Sequence, residues 1–512
     1  MKRFILSSAA SLITLSAAQA ADLPVKAKAV EYVKTCTLYG PGFYYIPGTD
    51  TCIKLGGYLL ADVVVNTNAD NVGNTAGAGG AKNRFTNGYT WRSREDLNID
   101  TRTATEYGVV RTYFDTVFQW ATDTYAGNGT GATVYSPAGP APFSQAPNNA
   151  NGGAVANGTV GVYYAFIQFA GFTIGKTASQ FSAPWLAYPG NSFDGLVGGG
   201  STITGVNQFT YTAEFGNGVS LSLSAQDQTA YYQAGVNNLA AGGAWGTSDY
   251  AGTIAPDLVS MLRVDQAWGL FQASFAAHNN HAAYYGGTEL SGHPDDKWGW
   301  AGQLALSIKN IPTGPGDTIN VQGVYTNGAT RYNIHELATQ AGTNTLYGGT
   351  SLAGAYQSVG FGMAPDSVFA AGGSQQLVST WGFRGAYVHN WDPYWNTSIY
   401  GAYAGVMYNN TAKGLICGPA GNGVGGTFGA TFGTAGLASC NPDYSIAQIG
   451  TQTQWTPVKN LTFMADLTFI HLDQKMAGVV TTSGATVGKP TAVYELKDQN
   501  NVLLLLRARR NW

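Results

Sequence analysis

Apolar and polar residues alternate with a period of two along much of this chain. Phe209, Tyr211, Ala213 and Phe215 are interleaved with Gln208, Thr210, Thr212 and Glu214. After Gly216-Asn217-Gly218 the alternation resumes, with Val219, Leu221, Leu223 and Ala225 set against Ser220, Ser222, Ser224 and Gln226. Successive side chains of a strand point to opposite faces, and Asn-Gly supplies a positive-φ turn, so the segment predicts an antiparallel hairpin. Leu55, Leu59, Ala61, Val63 and Val65 oppose Lys54, Tyr58, Asp62 and Asn66 in the same way, and Leu461, Phe463, Ala465, Leu467 and Phe469 oppose Thr462, Asp466 and Thr468. Sixteen candidate strands are counted, with fourteen or eighteen as the alternatives, starting near residues 54, 89, 106, 160, 172, 206, 219, 258, 270, 297, 317, 378, 396, 443, 460 and 500.

A soluble sandwich would alternate equally well, but the connections separate the two cases. Short links near Gly171, Asn217, Gly269, Pro393 and Asn460 alternate with long Gly-, Asn-, Thr- and Ala-rich ones, roughly 67–88, 121–158, 228–257, 328–377 and 409–442. Short turns at one rim, long loops at the other and an even strand count describe a transmembrane barrel. The expected fold class is therefore all-β, a transmembrane antiparallel β-barrel of sixteen strands. Trp120, Trp268, Trp298, Trp391, Trp395, Trp455 and Trp512 fall near the inferred strand ends, where an interfacial aromatic girdle sits.

Composition agrees with that reading. Only 11% of residues are charged, against ~25% in ordinary soluble domains, and a lipid-facing surface needs no such charge. The net charge of −3 is no footprint for nucleic acid. Lys2 and Arg3, an apolar stretch from Phe4 to Ala18 and the Ala18-Gln19-Ala20 motif read as a signal peptide over residues 1–20. Residues 21–53 then form a periplasmic N-terminal segment and 54–512 the barrel, placing the protein in a bacterial outer membrane.

Cys36, Cys52, Cys417 and Cys440 suit an oxidising compartment. Three pairings are open, with sequence neighbours favoured. Closing loops of this size contributes on the order of 3 kcal/mol each. Enzyme signatures are missing. Gly421, Gly423 and Gly426 match GxGxxG only inside a Gly-rich loop, and neither GxSxG nor HExxH occurs. His278 with His281, and His335 with Glu336, read as solvated loop residues, and no metal or cofactor is expected.

The segment Cys36 to Asp62 (CTLYGPGFYYIPGTDTCIKLGGYLLAD) resembles the N-terminal signature of the alphaproteobacterial porin family. Arg92-Ser93-Arg94, TEYGVVRTY from Thr105, FIQFAGFTIG from Phe166, YTAEFGNG from Tyr211 and the terminal Asn511-Trp512 are similar to its further blocks. The resemblance implies passive diffusion of small hydrophilic solutes and ions through a water-filled homotrimeric barrel. It also implies outer-membrane lipid and lipopolysaccharide as surroundings, and Trp512 as the signal read by the barrel-assembly machinery. Family members usually end on Phe with an apolar or aromatic residue two positions earlier; here Arg510 and Trp512 stand there.

By alternation, Arg92, Arg94, Asp96, Asp100, Arg111, Tyr113 and Asp115 face the lumen. Lipid exposure of an Arg at mid-membrane would cost ~2–4 kcal/mol. The resemblance further implies that a long loop, about residues 180–205, folds into the pore. Its one acid, Asp194, set across from Arg92, Arg94 and Arg111, would create a transverse field. Salt bridges that merely brace the loop are the alternative. Lys54, Arg263 and Arg384 are weaker lumen candidates. Two rival functions remain: a substrate-selective channel with aromatic residues such as Tyr58 and Tyr113 along its lumen, or a surface adhesin.

Overall fold

The computed structural model describes residues 34–67, 89–121, 154–155, 158–185, 196–199, 205–227, 234–240, 247–334, 344–482 and 489–512. Sixteen antiparallel strands form one closed barrel. The first eight are β1 (Thr51–Asn66), β2 (Tyr89–Thr105), β3 (Gly108–Ala121), β4 (Gly158–Phe169), β5 (Phe172–Thr177), β6 (Val206–Glu214), β7 (Val219–Gln226) and β8 (Asp257–Gln266). The remainder are β9 (Gly269–Asn280), β10 (Lys297–Lys309), β11 (Thr318–Asn327), β12 (Ser379–Asn390), β13 (Trp395–Met407), β14 (Tyr444–Val458), β15 (Leu461–Gln474) and β16 (Gln499–Asn511). Every strand begins within three residues of its expected start.

The alternation places the side chains as expected. Leu59, Trp91, Phe209, Leu223, Leu304 and Leu467 stand exposed on the outside, while Arg92, Thr210, Ser222, Gln272 and Thr468 are buried on the inside. Trp268, Trp298, Trp391, Trp395, Trp455 and Trp512 are exposed at strand ends or in turns, as an interfacial girdle requires.

Closure depends on the chain terminus. β16 pairs with β1 from Tyr58↔Asn511 to Asn66↔Leu503. Trp512 continues the ladder by donating its N–H to the Gly57 carbonyl at 3.1 Å and accepting from the Gly57 N–H at 3.3 Å. Deleting Trp512 should therefore lower the amount of folded barrel at the cell surface. Surface labelling of the truncated chain checks this, and wild-type levels would remove any assembly role for the residue.

Both expected disulfides are present, Cys36–Cys52 and Cys417–Cys440. The first ties the N-terminal segment to β1, beside a short ribbon in which Tyr44–Tyr45 pairs with Cys52 and Ile53. The second belongs to a structure that the sequence did not suggest. Segments read as long loops build a folded layer at the long-loop rim, with a four-stranded sheet, a five-stranded sheet, and helices α1 (Asn410–Cys417) and α2 (Thr427–Phe432). Val359, Phe361, Ile416, Phe428 and Tyr494 make its core. That core packs onto inward residues of the barrel wall, including Val64, Val406, Ile446, Leu472 and Leu505. The apolar inward positions of β13–β16 and β1 therefore face a dry contact rather than water, and their burial holds the layer in the mouth.

Candidate functional site

One side of the lumen is built from β16, β1, β2 and β3, whose inner faces carry Lys54 and six arginines (Arg92, Arg94, Arg102, Arg111, Arg507, Arg509) against Asp62, Asp96, Asp100 and Asp115. Strand register brings these groups into pairs. Asp62 accepts from Arg92 Nε at 2.9 Å and Nη2 at 2.6 Å, and from Arg507 Nε at 2.7 Å and Nη2 at 3.1 Å. The Arg92 and Asp62 side chains have no exposed surface. Asp100 takes Arg102 Nη2 at 2.9 Å and Arg111 Nη2 at 3.0 Å, and Arg111 Nη1 reaches Gln168 Oε1 at 2.9 Å. Arg94 holds Gln119 Oε1 through Nε at 3.0 Å and lies 5.7 Å from the Tyr163 ring centre. Asp96 accepts from Asn98 Nδ2 at 3.1 Å, and Asp115 is buried nearby on β3.

Eight strands away around the ring, the opposite wall is amide-rich and carries fewer charges, Arg263 and Arg384 among them. The chain leaving β5 crosses to this wall, where the Phe181 carbonyl accepts from Gln303 Nε2 at 2.9 Å and the Ser182 carbonyl from Gln272 Nε2 at 3.0 Å. Trp185 Nε1 donates to Gln322 Oε1 at 2.9 Å. On the return, the Val197 N–H donates to Gln448 Oε1 at 2.8 Å and Arg384 Nη1 reaches the Leu196 carbonyl at 3.4 Å. The loop stem thus lies inside the barrel, held by glutamines on β9, β10, β11 and β14. Gly198 makes this possible: its φ is +90°, and an added Cβ would lie 2.3 Å from the Phe383 carbonyl oxygen.

Arg92, Arg94 and Arg111 therefore share one wall, with the loop stem on the far side. Asp194 lies outside the described residues, as do His335 and Glu336. Arg263 pairs with Gln272 Oε1 at 2.9 Å, which puts it on the amide side together with Arg384. Lys54 approaches the Phe43 ring near the N-terminal segment, with Nζ 5.8 Å from its centre. Sequence reasoning missed the glutamine wall. Its signal was Gln at inward strand positions 208, 226, 272, 303, 322 and 448.

His278 is also not a solvated loop residue. It lies in β9 without exposure, its Nδ1 2.8 Å from Asp257 Oδ1 and its Nε2 3.5 Å from Asp366 Oδ2. Tyr250 donates to Asp366 at 2.8 Å and Tyr332 to Asp257 at 2.5 Å. The backbone N–H groups of Ala234 and Thr330 donate to Asp366 at 2.8 and 2.6 Å. The signal was the inward parity of His278 with Gln272 and Ser274.

This network fastens the rim layer to the wall. Burial alone would raise the Asp366 pKa, but His278 and the two N–H donors hold it below the ordinary carboxylate value. A depressed carboxylate contributes stability above its unfolded pKa and loses it as pH falls through the lower folded value. Protection of the Ala234 and Thr330 amides against hydrogen exchange should therefore persist at pH 5 and collapse only below about pH 3.9. Collapse between pH 5 and 7 would show that Asp366 is not the fastening.

A family model described as the porin subfamily matches residues 22–505. The chain belongs to the porin family. Porin Omp2b of Brucella suis is 32% identical over 273 residues, which cover 52% of this chain and 63% of that one. Porin Omp2b of Brucella canis is 32% identical over 277 residues with the same coverage. The match thus spans less than two thirds of these relatives. Among solved structures, the outer membrane channel DcaP of Acinetobacter baumannii covers 91% of this porin and 99% of its own chain at a TM-score of 0.58 and 14% identity. That likeness concerns the barrel fold alone. The closed barrel and the family together place this porin in the outer membrane.

Proposed function

We propose that this porin is a passive, water-filled channel for small hydrophilic solutes and ions, and not an enzyme. The observation that carries the reading is the closed barrel with an apolar outer face and a polar inner one, crossed by a loop stem that narrows the lumen without forming its wall. The excess of cations on β16 and β1–β3 supports a weak preference for anions, because fixed charge in a confined channel sets the local counter-ion concentration. Lipopolysaccharide and outer-membrane lipid surround the barrel, and the assembly machinery inserts it.

A homotrimer is supported by the outer face near the seam. Ser93 and Glu95 occupy outward positions on β2, paired with Ala61 and Leu59 of β1. Beside them is a recess of about 510 Å³ lined by Ala61, Trp91, Phe463, Leu506 and Ala508. Polar groups facing lipid are costly unless covered, and a second copy covers them.

Swelling of liposomes containing the purified protein tests the channel. Uncharged solutes should enter at rates that fall steeply with size, and no entry of the smallest would overturn the reading. The substrate-selective alternative gains from the inward rings of Tyr58, Tyr113, Tyr164 and Phe166. Tyr113 lies 5.4 Å from Phe166 and 6.3 Å from Tyr164 between ring centres.

A further inference from the structure

Arginines and aromatic rings alternate down the wall formed by β16 and β1–β4. Arg94 lies 5.7 Å from the Tyr163 ring centre and Arg509 4.2 Å from that of Tyr58. Arg111 lies 5.1 Å from Tyr113 and 5.4 Å from Phe166. Closest to the short-turn rim, Arg102 lies 4.9 Å from Phe43 and 5.7 Å from Tyr39. The series ends at a cavity of about 500 Å³, lined by Tyr39, Arg102, Arg111, Gln168, Phe169 and Glu214 among others. All of these stand at the short-turn ends of their strands or on the N-terminal segment, so the cavity lies at the short-turn rim, the periplasmic side of such a barrel.

Its electrostatics are specific. Two guanidinium groups share the single carboxylate of Asp100, an excess of one positive charge within that trio, which Glu214 in the same lining offsets from a distance. Asp100 uses the Nε and Nη2 edge of Arg102, which leaves the Nη1 group outside that pair. Both arginine side chains retain solvent access, 29% for Arg102 and 28% for Arg111. Guanidinium planes held by a carboxylate and by rings are preorganised to accept a flat anion. Its carboxylate takes free N–H donors while its plane lies on an arginine or a ring. Glu214, on the same rim, repels a second negative charge.

We propose that this cavity is a periplasmic-side binding site for small planar monocarboxylates, aromatic ones above all. The proposal rests on the channel reading, since the solute reaches the site through the lumen. It makes the exit a place of retention for one solute class within an otherwise unselective path.

The experiment is single-channel recording in planar bilayers, with benzoate, acetate or phthalate added on the periplasmic side. Benzoate should interrupt the current in a saturable manner, and acetate and phthalate should do so more weakly. Arg102→Gln should weaken benzoate block roughly tenfold, the loss expected for one charge-assisted hydrogen bond. Glu214→Gln should strengthen block and narrow the gap between phthalate and benzoate. Saturation-transfer NMR of benzoate on the detergent-solubilised protein reads binding without conduction, and heat-modifiable migration confirms that each variant is folded. Equal block by acetate and benzoate, or block unaffected by either substitution in a folded barrel, overturns the proposal. A folded protein that carries no current overturns the channel reading instead, and the NMR measurement then decides the site on its own.

Discussion

An Asp62→Ala barrel should lose its heat-resistant folded form at a markedly lower temperature than the wild type. Asp62 is the shared acceptor of Arg92 on β2 and Arg507 on β16, so it joins three strands across the closing seam. The Arg92 and Asp62 side chains are entirely shielded, and that of Arg507 retains 15% exposure. Removing one partner from a buried ion pair leaves the other charge uncompensated, typically at a cost of ~3–5 kcal/mol. Here two arginines lose this shared acceptor at once. Asp62→Asn, which keeps an acceptor oxygen, should lie between the two. Gel migration after incubation at graded temperatures reads the effect, and an unchanged transition for Asp62→Ala would show that the seam is held by its backbone ladder alone.

Gly198→Ala should enlarge the conducting path by displacing the loop stem from the wall. The Val197–Gly199 segment lies against β12 only because residue 198 lacks a Cβ. An L-residue in left-handed backbone costs roughly 1–2 kcal/mol, and the added methyl would also meet the Phe383 carbonyl. The segment should lift from the wall, releasing the bonds from Arg384 to Leu196 and from Val197 to Gln448. Higher single-channel conductance with unchanged heat stability is the expected outcome. Identical conductance would mean that the loop stem does not limit the path.

The barrel was legible because period-two alternation is imposed twice, by lipid outside and polar groups inside. Phe209 to Gln226 therefore announced a hairpin without any tertiary information. The loop stem inside the pore followed only from resemblance, since nothing in Phe181 to Trp185 signals that two of its carbonyls and the Trp185 indole meet glutamines about ninety to one hundred and forty residues later. Pairings between distant strands were equally hidden. Parity put Arg92 on the inner face, but its partner Asp62 and their common neighbour Arg507, 445 residues from Asp62, emerge only when β16 closes on β1. The rim layer escaped notice because its strands and helices are short and rich in Gly, Thr and Ala. Such segments span too few turns or alternations to register a period. His278 was misread for the opposite reason: its strand was recognised, but a neighbouring His suggested a loop.

Planar-bilayer recording of the purified wild-type protein addresses the channel most directly. Insertion should produce discrete current steps that are ohmic at low voltage and grow in proportion to bulk salt. Folded, heat-modifiable protein that enters the bilayer yet passes no current would contradict an open aqueous pore, and would leave the barrel as a scaffold for its rim layer.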